Sequence, residues 1–193
     1  MNRNRILAFL ILLVASPSLS ELKKPAISQS PMERDQLAIY RTFLGSYNNG
    51  STVRLNLSNL TSTFAPSDDD CLKGVELEAD GRYNSMVHRF DPRTALPGNI
   101  HLVDPEQQGE AVQQNDPGQE IRQGKDVNSA VEAGFSAGLL TLSEVAFDKS
   151  HRYAAMSFSF VCGGLCGHGS TIVFEKKKGK WKESKRHCSV WMS

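Results

Sequence analysis

Hydrophobic residues near the start of the chain recur at intervals of three and four positions, which is the spacing of one helix face. The apolar positions are Leu37, Ile39, Tyr40, Phe43, Leu44 and Tyr47. Ser30 precedes them and Glu33 follows three residues later, the spacing of a capping box, while Pro31 suits the first helical turn. The pattern therefore predicts an amphipathic helix from Pro31 to Tyr47 that lays its apolar face on a sheet or another helix.

Closer to the C-terminal end the spacing changes to two, the period of a half-buried strand. Hydrophobic residues alternate with serine over residues 156–162, and a second β-rich run covers 170–174. A glycine-bearing loop at 163–165 and a Lys-Gly turn at 178–179 predict two successive hairpins. The last strand is expected to occupy residues 180–192.

The segments between these regions carry weaker signals. Ser129 and Glu132 form a second capping box, so a short helix is expected there, ending near Gly138. Residues 139–147 then predict a strand. The tract 104–125 is rich in Gln, Gly and Glu and has few apolar residues, so we interpret it as an exposed polar loop, with one helical turn begun by Asp104-Pro105-Glu106 as an alternative at its start.

One strongly amphipathic helix followed by a run of strands is typical of the α+β class. We therefore predict an α+β fold in which the N-terminal helix packs on a curled antiparallel sheet that ends in a C-terminal β-meander. Residues 30–193 are predicted to form one domain. They follow a signal peptide at 1–20 and a mobile leader at 21–29.

The signal-peptide prediction depends on three features of residues 1–20. Arg3 and Arg5 precede an apolar run over 6–15, and small residues at 18–20 precede a cut at Glu21. The apolar run is shorter than the roughly 20 residues that span a bilayer core. We therefore predict a periplasmic or secreted protein with no transmembrane segment in the mature chain.

The net charge of the chain limits the classes of partner that we expect it to bind. After cleavage the chain would carry 20 basic and 21 acidic residues, a net charge of −1, which argues against a nucleic-acid-binding protein. The balance is uneven, because residues 21–150 carry a net charge of −7 and residues 151–193 carry +6. The C-terminal hairpins are thus the basic end of the molecule.

The four cysteines are expected to be oxidised in an exported protein. We predict a bridge between Cys162 and Cys166 across the first hairpin, and a second between Cys71 and Cys188 that ties the N-terminal part to the last strand. A zinc site is an alternative, since Cys162, Cys166, His168, His187 and Cys188 are residue types that bind zinc and the first three form a local Cys-x3-Cys-x-His pattern. A redox-active pair is another, although the spacing is not Cys-x-x-Cys. We favour structural bridges, with no metal and no cofactor.

The C-terminal region also resembles a known pattern. The matching features are Cys162-Gly163, Leu165-Cys166-Gly167, the spaced Lys177, Gly179 and Trp181, and the closing Trp191-x-Ser193. This stretch, about the last 55 residues, is similar to the C-terminal signature of a loosely defined set of exported bacterial proteins of unassigned function. The resemblance implies export and a sheet-rich end, and it implies no reaction.

Lysines are concentrated in the second hairpin. The basic patch consists of Lys176, Lys177, Lys178, Lys180 and Lys182. Such a run could bind an anionic envelope polymer, but more often it is a solvated strand edge that resists aggregation. Few aromatic residues interleave with it, which does not favour nucleic-acid stacking.

Motifs that would identify an enzyme are absent from the sequence, including Gly-x-Ser-x-Gly and His-Glu-x-x-His. The function that we expect is a non-catalytic exported module that binds an envelope polymer, a protein or another ligand. The alternative is a hydrolase whose base is His151 or His168, assembled only in three dimensions. A deep pocket that holds one of these histidines with a carboxylate would favour the hydrolase.

Overall fold

The structure of the protein is a computed structural model, and it describes residues 25–49, 53–65, 70–78, 82–186 and 188–193. The predicted signal peptide lies outside the described residues. The fold is a mixed α+β arrangement around a strongly curled, mostly antiparallel sheet, which confirms the predicted class. Among the described residues, every helix is too short or too polar to cross a membrane.

The helices are α1 (Arg34–Tyr47), α2 (Arg82–Ser85), α3 (Pro105–Gln114), α4 (Pro117–Arg122) and α5 (Val127–Ala137), with a short 3-10 turn at Asp70–Leu72. The strands are β1 (Ala26–Ile27), β2 (Leu55–Ser58), β3 (Met86–Val87), β4 (Ile100–Val103), β5 (Leu139–Leu142), β6 (Ala146–Phe147), β7 (Tyr153–Gly163), β8 (Cys166–Lys177), β9 (Lys180–Glu183) and β10 (Val190–Met192).

The main sheet has the strand order β10-β8-β7-β5-β2-β4, with β6 also paired to β7 and β9 to β8. At the C-terminal end of the chain, β5, β6 and β8 pair antiparallel with β7, and β9 and β10 pair antiparallel with β8. Strand β2 instead runs parallel to both β4 and β5. The predicted antiparallel sheet therefore has a parallel edge, where the connection from β4 to β5 runs through helices α3 to α5.

The core lies between α1 and the sheet. Buried side chains of α1, namely Ile39, Tyr40, Phe43 and Leu44, form one cluster with strand residues such as Leu57, Leu140, Met156 and Phe174. A smaller cluster of Phe64, Ala146 and Ala155 packs with Leu72, Leu77 and Tyr83. Apolar burial of this kind is the main favourable contribution to folding.

Helix α1 begins at Arg34, three residues later than the capping box predicts. Glu33 occupies the N-cap position with extended dihedral angles and makes no capping hydrogen bond through its side chain. Ahead of it, β1 pairs in parallel with β3, and Ser28 N–H donates to Val87 O at 2.7 Å. The described part of the predicted mobile leader, residues 25–29, thus includes a short paired strand at 26–27.

The prediction of an exposed loop over residues 104–125 is wrong. This tract contains α3 and α4, and each helix starts with an aspartate N-cap followed by proline. Asp104 accepts hydrogen bonds from two backbone N–H groups, and Asp116 accepts one from Gln119. Asp126 caps α5 in the same way, so that helix starts ahead of the predicted Ser129 cap. Capping and proline placement outweigh the polar composition here.

Both C-terminal hairpins turn where predicted. Lys178 and Gly179 have positive φ angles of 52° and 75°, the backbone of a tight two-residue hairpin turn. The predicted last strand is interrupted, because β9 and β10 pair with different halves of β8, and the described residues between them, 184–186 and 188–189, are not in a strand.

The cysteines lie at disulfide distance in the two predicted pairs. Cys71 and Cys188 have Cα atoms 5.0 Å apart, as do Cys162 and Cys166. The latter two are not directly opposed, since Cys166 pairs with Gly163 beside an irregularity in the ladder. Arg186 in the segment 184–189 donates hydrogen bonds to the carbonyl oxygens of Cys71 and Lys73, at 3.0 and 2.7 Å.

Candidate functional site

A cavity of about 260 Å³ lies between the N-terminal end of α1 and one side of the sheet. Its walls come from four parts of the chain: residues 28–33, the start of α1, Glu78 with residues 83–88, and the segment 144–151. We call it the Glu144 cavity. Its lining residues are Ser28, Ser30, Pro31, Glu33, Gln36, Glu78, Tyr83, Met86, His88, Glu144, Val145, Phe147 and His151.

Glu144 is the most constrained polar group of the cavity. Its side chain is 6% exposed, and its carboxylate accepts from Gln36 Nε2, His88 Nδ1 and His88 N–H, each at 2.9 Å. The Thr61 hydroxyl is a fourth partner. A buried carboxylate is tolerated only when it is satisfied in this way, so these four groups fix its position.

A break in the sheet places Glu144 here. The predicted strand 139–147 is divided into β5 and β6, because Glu144 N–H donates to Ser62 O at 2.7 Å instead of continuing the ladder with β7. Ser143 fills the gap, since its hydroxyl accepts from Ser157 N–H at 2.7 Å. Tyr40, whose pKa is raised by burial and by the nearby Glu144 charge, donates to Ser143 O at 2.8 Å. The interruption therefore turns the carboxylate into the cavity.

His88 is oriented by Glu144. Its side chain is 16% exposed, and Nδ1 lies 2.9 Å from the carboxylate. In the neutral imidazole this contact places the proton on Nδ1, so Nε2 remains as a hydrogen-bond acceptor. Within the described part of the chain, Nε2 has no hydrogen-bond partner.

His151, one of the two histidines singled out from the sequence, lies at the rim of the cavity. Its ring is stacked on Phe147 with centroids 5.1 Å apart, and its φ angle of 50° lies in the left-handed region. Asp148 sets this turn by accepting hydrogen bonds from the N–H groups of Arg152 and Tyr153 at 2.8 and 2.6 Å. Non-glycine residues rarely adopt this conformation, so the turn holds His151 in place at some cost in strain.

The turn at Asp148 makes stability depend on pH. Burial alone would raise the pKa of Asp148, but hydrogen bonds from Ser150, Tyr153 and Arg152 outweigh it and lower the pKa below its usual value of 3.8. A depressed folded-state pKa contributes stability above the unfolded pKa of about 3.9, and that stability is lost as the pH falls through the folded pKa.

We expect Asp148→Asn to lower the free energy of unfolding by about 1 to 3 kcal/mol at pH 7. The difference should shrink below pH 4.

Urea unfolding of wild type and variant at pH 7 and at pH 3 measures this effect. Glu76→Gln is the control, because Glu76 is exposed and its side chain makes no hydrogen bond within the described part of the chain, so the substitution should change the free energy of unfolding little at either pH. A difference for Asp148→Asn that is the same at both pH values would contradict the expectation.

His168, the other histidine singled out, lies outside the cavity. Its Nε2 is 3.0 Å from Tyr47 Oη, and its ring is surrounded by those of Tyr47, Phe158 and Phe160. Burial raises the pKa of Tyr47 to about 12, so its hydroxyl stays protonated. This arrangement is typical of packing between α1 and the sheet.

The basic patch is partly neutralised. Lys176 Nζ lies 2.6 Å from Asp35 and 5.1 Å from the centre of the Trp181 ring, and Lys177 Nζ lies 2.7 Å from Glu175. Lys176 also lowers the pKa of Asp35 through their hydrogen bond. Lys176 therefore links α1 to the second hairpin. These contacts favour a structural role for Lys176 over a role in binding a polyanion.

Among the described residues no group of three or more His, Cys, Asp or Glu is placed to hold a metal ion. Comparison with protein-family models, curated proteins and solved structures finds no match for the chain.

Sequence reasoning missed the two central residues of the cavity. Glu144 and His88 are 56 positions apart, and neither belongs to a recognisable motif. One signal was present, because Glu144 is the only charged residue in the apolar run 139–147. A lone carboxylate in a buried strand needs partners, and that requirement points to a polar site.

Proposed function

We propose that the chain is an exported, non-catalytic module that binds a small polar molecule in the Glu144 cavity. The observation that carries this proposal is the cavity itself, a concave site whose polar floor is already organised around a buried carboxylate. Ligand sites usually combine such a preformed cleft with a few oriented polar groups. The two cysteine pairs at disulfide distance and the predicted signal peptide support export.

The proposed function requires that α1 packs against the sheet. Gln36 reaches Glu144 from α1, and the residues just before the helix form one wall of the cavity. A helix that left the sheet would therefore remove both the wall and one partner of the carboxylate.

A variant that fills the cavity tests the proposal. Ser30 is exposed and lines the cavity, so Ser30→Trp should occupy the space without disturbing the core. Gln29→Trp is the matched control, because Gln29 is exposed on the same segment but does not line the cavity. The oxidised chain 21–193 would be mixed with the small-molecule fraction of a bacterial envelope extract, and the retained compounds identified by mass spectrometry after denaturation.

Wild type and Gln29→Trp are expected to retain the same compound, and Ser30→Trp is expected to lose it. Retention that is equal in all three proteins would place the ligand elsewhere. No retained compound in any of them would argue against a small-molecule site.

A hydrolase remains the second candidate, and the contact between His88 and Glu144 favours it. A carboxylate that fixes an imidazole tautomer is the arrangement by which histidine acts as a general base. The residue in that position is His88, not His151 or His168. Hydrolysis of a retained compound by wild type at saturating concentration, and its loss in His88→Gln under the same conditions, would identify this activity.

A further inference from the structure

Three groups that line the Glu144 cavity accept hydrogen bonds but do not donate them, namely the carboxylates of Glu33 and Glu78 and, in the tautomer that Glu144 fixes, Nε2 of His88, while the hydroxyls of Ser28, Ser30 and Tyr83 can do either. We propose that the ligand is a small amine, whose N–H groups donate to these acceptors and whose positive charge is balanced by the carboxylates of the cavity. This inference rests on the proposed function, since it names the chemical class of the ligand for that same site.

The first acceptor is Nε2 of His88. Glu144 already receives hydrogen bonds from Gln36 and His88, and its remaining contact is with Thr61. The carboxylate is therefore saturated, and its effect on the ligand is indirect. It holds the proton of neutral His88 on Nδ1, so that Nε2 accepts a hydrogen bond and cannot donate one.

Two further acceptors are the carboxylates of Glu33 and Glu78. Both line the cavity, and within the described part of the chain neither side chain has a hydrogen bond or an ion pair. Ionised carboxylates accept hydrogen bonds and do not donate them. A ligand that fits these groups must supply N–H or O–H donors.

The net charge of the cavity favours a cation over a neutral donor. Among the described lining residues there are three glutamates and two histidines, and none is lysine or arginine. With both histidines neutral the formal charge is −3, and with both protonated it is still −1. The positive end of the α1 dipole near Glu33 offsets only about half a charge. The sign is therefore negative in every protonation state of the histidines, and an anion would be repelled.

The rest of the lining indicates a short apolar body between the polar ends. Met86, Val145 and Phe147 contribute apolar surface, and the volume of about 260 Å³ admits only a small molecule. A short alkyl chain that carries amino groups meets these requirements of size, charge and hydrogen bonding.

Three four-carbon probes test the inference: putrescine, 1,4-butanediol and succinate. They have similar length and differ in the charge and donor capacity of their ends. Isothermal titration calorimetry on the oxidised chain 21–193 at pH 7.5 and low salt should give the tightest binding for putrescine, weaker binding for the diol, and none for succinate. Glu78→Gln should weaken putrescine binding about twofold to fivefold. Glu76→Gln is the matched control, because Glu76 is exposed and does not line the cavity, and it should leave the affinity unchanged.

Putrescine that binds no more tightly than the diol or succinate, or that binds to none of the proteins, would overturn the amine inference. Binding that is lost equally in Glu78→Gln and Glu76→Gln would also overturn it, because it would report general charge attraction. The proposed function would survive these results if Ser30→Trp still abolished retention of a compound from the envelope extract. If Ser30→Trp did not abolish that retention, the Glu144 cavity would not be the binding site, and the proposed function would be contradicted as well.

Discussion

Replacing Phe43 with alanine is expected to lower the free energy of unfolding by about 3 to 5 kcal/mol. The Phe43 side chain is 3% exposed, and its ring lies 4.9 Å from that of Phe158 on β7 and 5.2 Å from that of Tyr47. The substitution would remove a large apolar surface and leave a cavity that the rigid sheet cannot close. This loss is large relative to the 5 to 15 kcal/mol that stabilises a typical domain.

Urea unfolding followed by circular dichroism measures the effect. Arg34→Ala on the same helix is the control, because Arg34 is exposed and its substitution should change the free energy of unfolding by less than about 0.5 kcal/mol. A Phe43→Ala variant as stable as wild type would show that α1 does not pack on the sheet. That result would also mean that α1 does not form a wall of the Glu144 cavity, since Gln36 lies on the same helix.

The parts of the fold that follow from local chemistry could be predicted from the sequence. The Lys178-Gly179 turn requires a backbone that glycine adopts readily, and alternating side chains fix the strands on either side of it. The end of α1 follows equally from the Asn48 C-cap position. Each of these features depends on residues that are close in the sequence, so the pattern carries the information.

The parts that depend on distant contacts could not be predicted. Strand β2 is parallel to both β4 and β5, and the connection from β4 to β5 runs through α3 to α5, two of which lie in a tract whose polar composition gave no helical signal. The start of α1 was misplaced because β1 pairs with β3 and Glu33, not Ser30, takes the N-cap position. Pairing of short strands that are about 60 residues apart leaves no periodic signal in either segment.

The Glu144 cavity could not be predicted from the sequence for the same reason. Its central contact joins Glu144 from the β5–β6 break to His88 from the end of β3, with Gln36 and Thr61 from two other segments. No pair among these residues has motif spacing. The prominent chemical features of the sequence, His168 and the basic patch, instead turned out to be engaged with Tyr47 and with Asp35 and Glu175.

Removal of the Cys71–Cys188 bridge is expected to cost much more stability than removal of the Cys162–Cys166 bridge. The first pair is separated by 117 positions and the second by 4. In the chain-entropy relation, a bridge stabilises by restricting the unfolded chain, and its contribution grows with the loop that it closes. That relation gives about 4 to 5 kcal/mol for the long loop and about 2 kcal/mol for the short one.

The comparison requires two double variants, Cys71→Ala/Cys188→Ala and Cys162→Ala/Cys166→Ala, each measured by urea unfolding beside oxidised wild type. Peptide mapping of wild type establishes the pairing first, and a fragment that joins Cys188 to Cys162 or Cys166 would contradict it.

Arg186 provides a further test of the bridge, because its hydrogen bonds to the carbonyl oxygens of Cys71 and Lys73 hold the same two segments together without the bridge. If those contacts carried the attachment, the first double variant would lose no more than the second, and the loss would instead appear in Arg186→Ala. A larger loss in the first variant, with Arg186→Ala close to wild type, would show that the covalent link fixes the 184–189 segment against the N-terminal part of the chain.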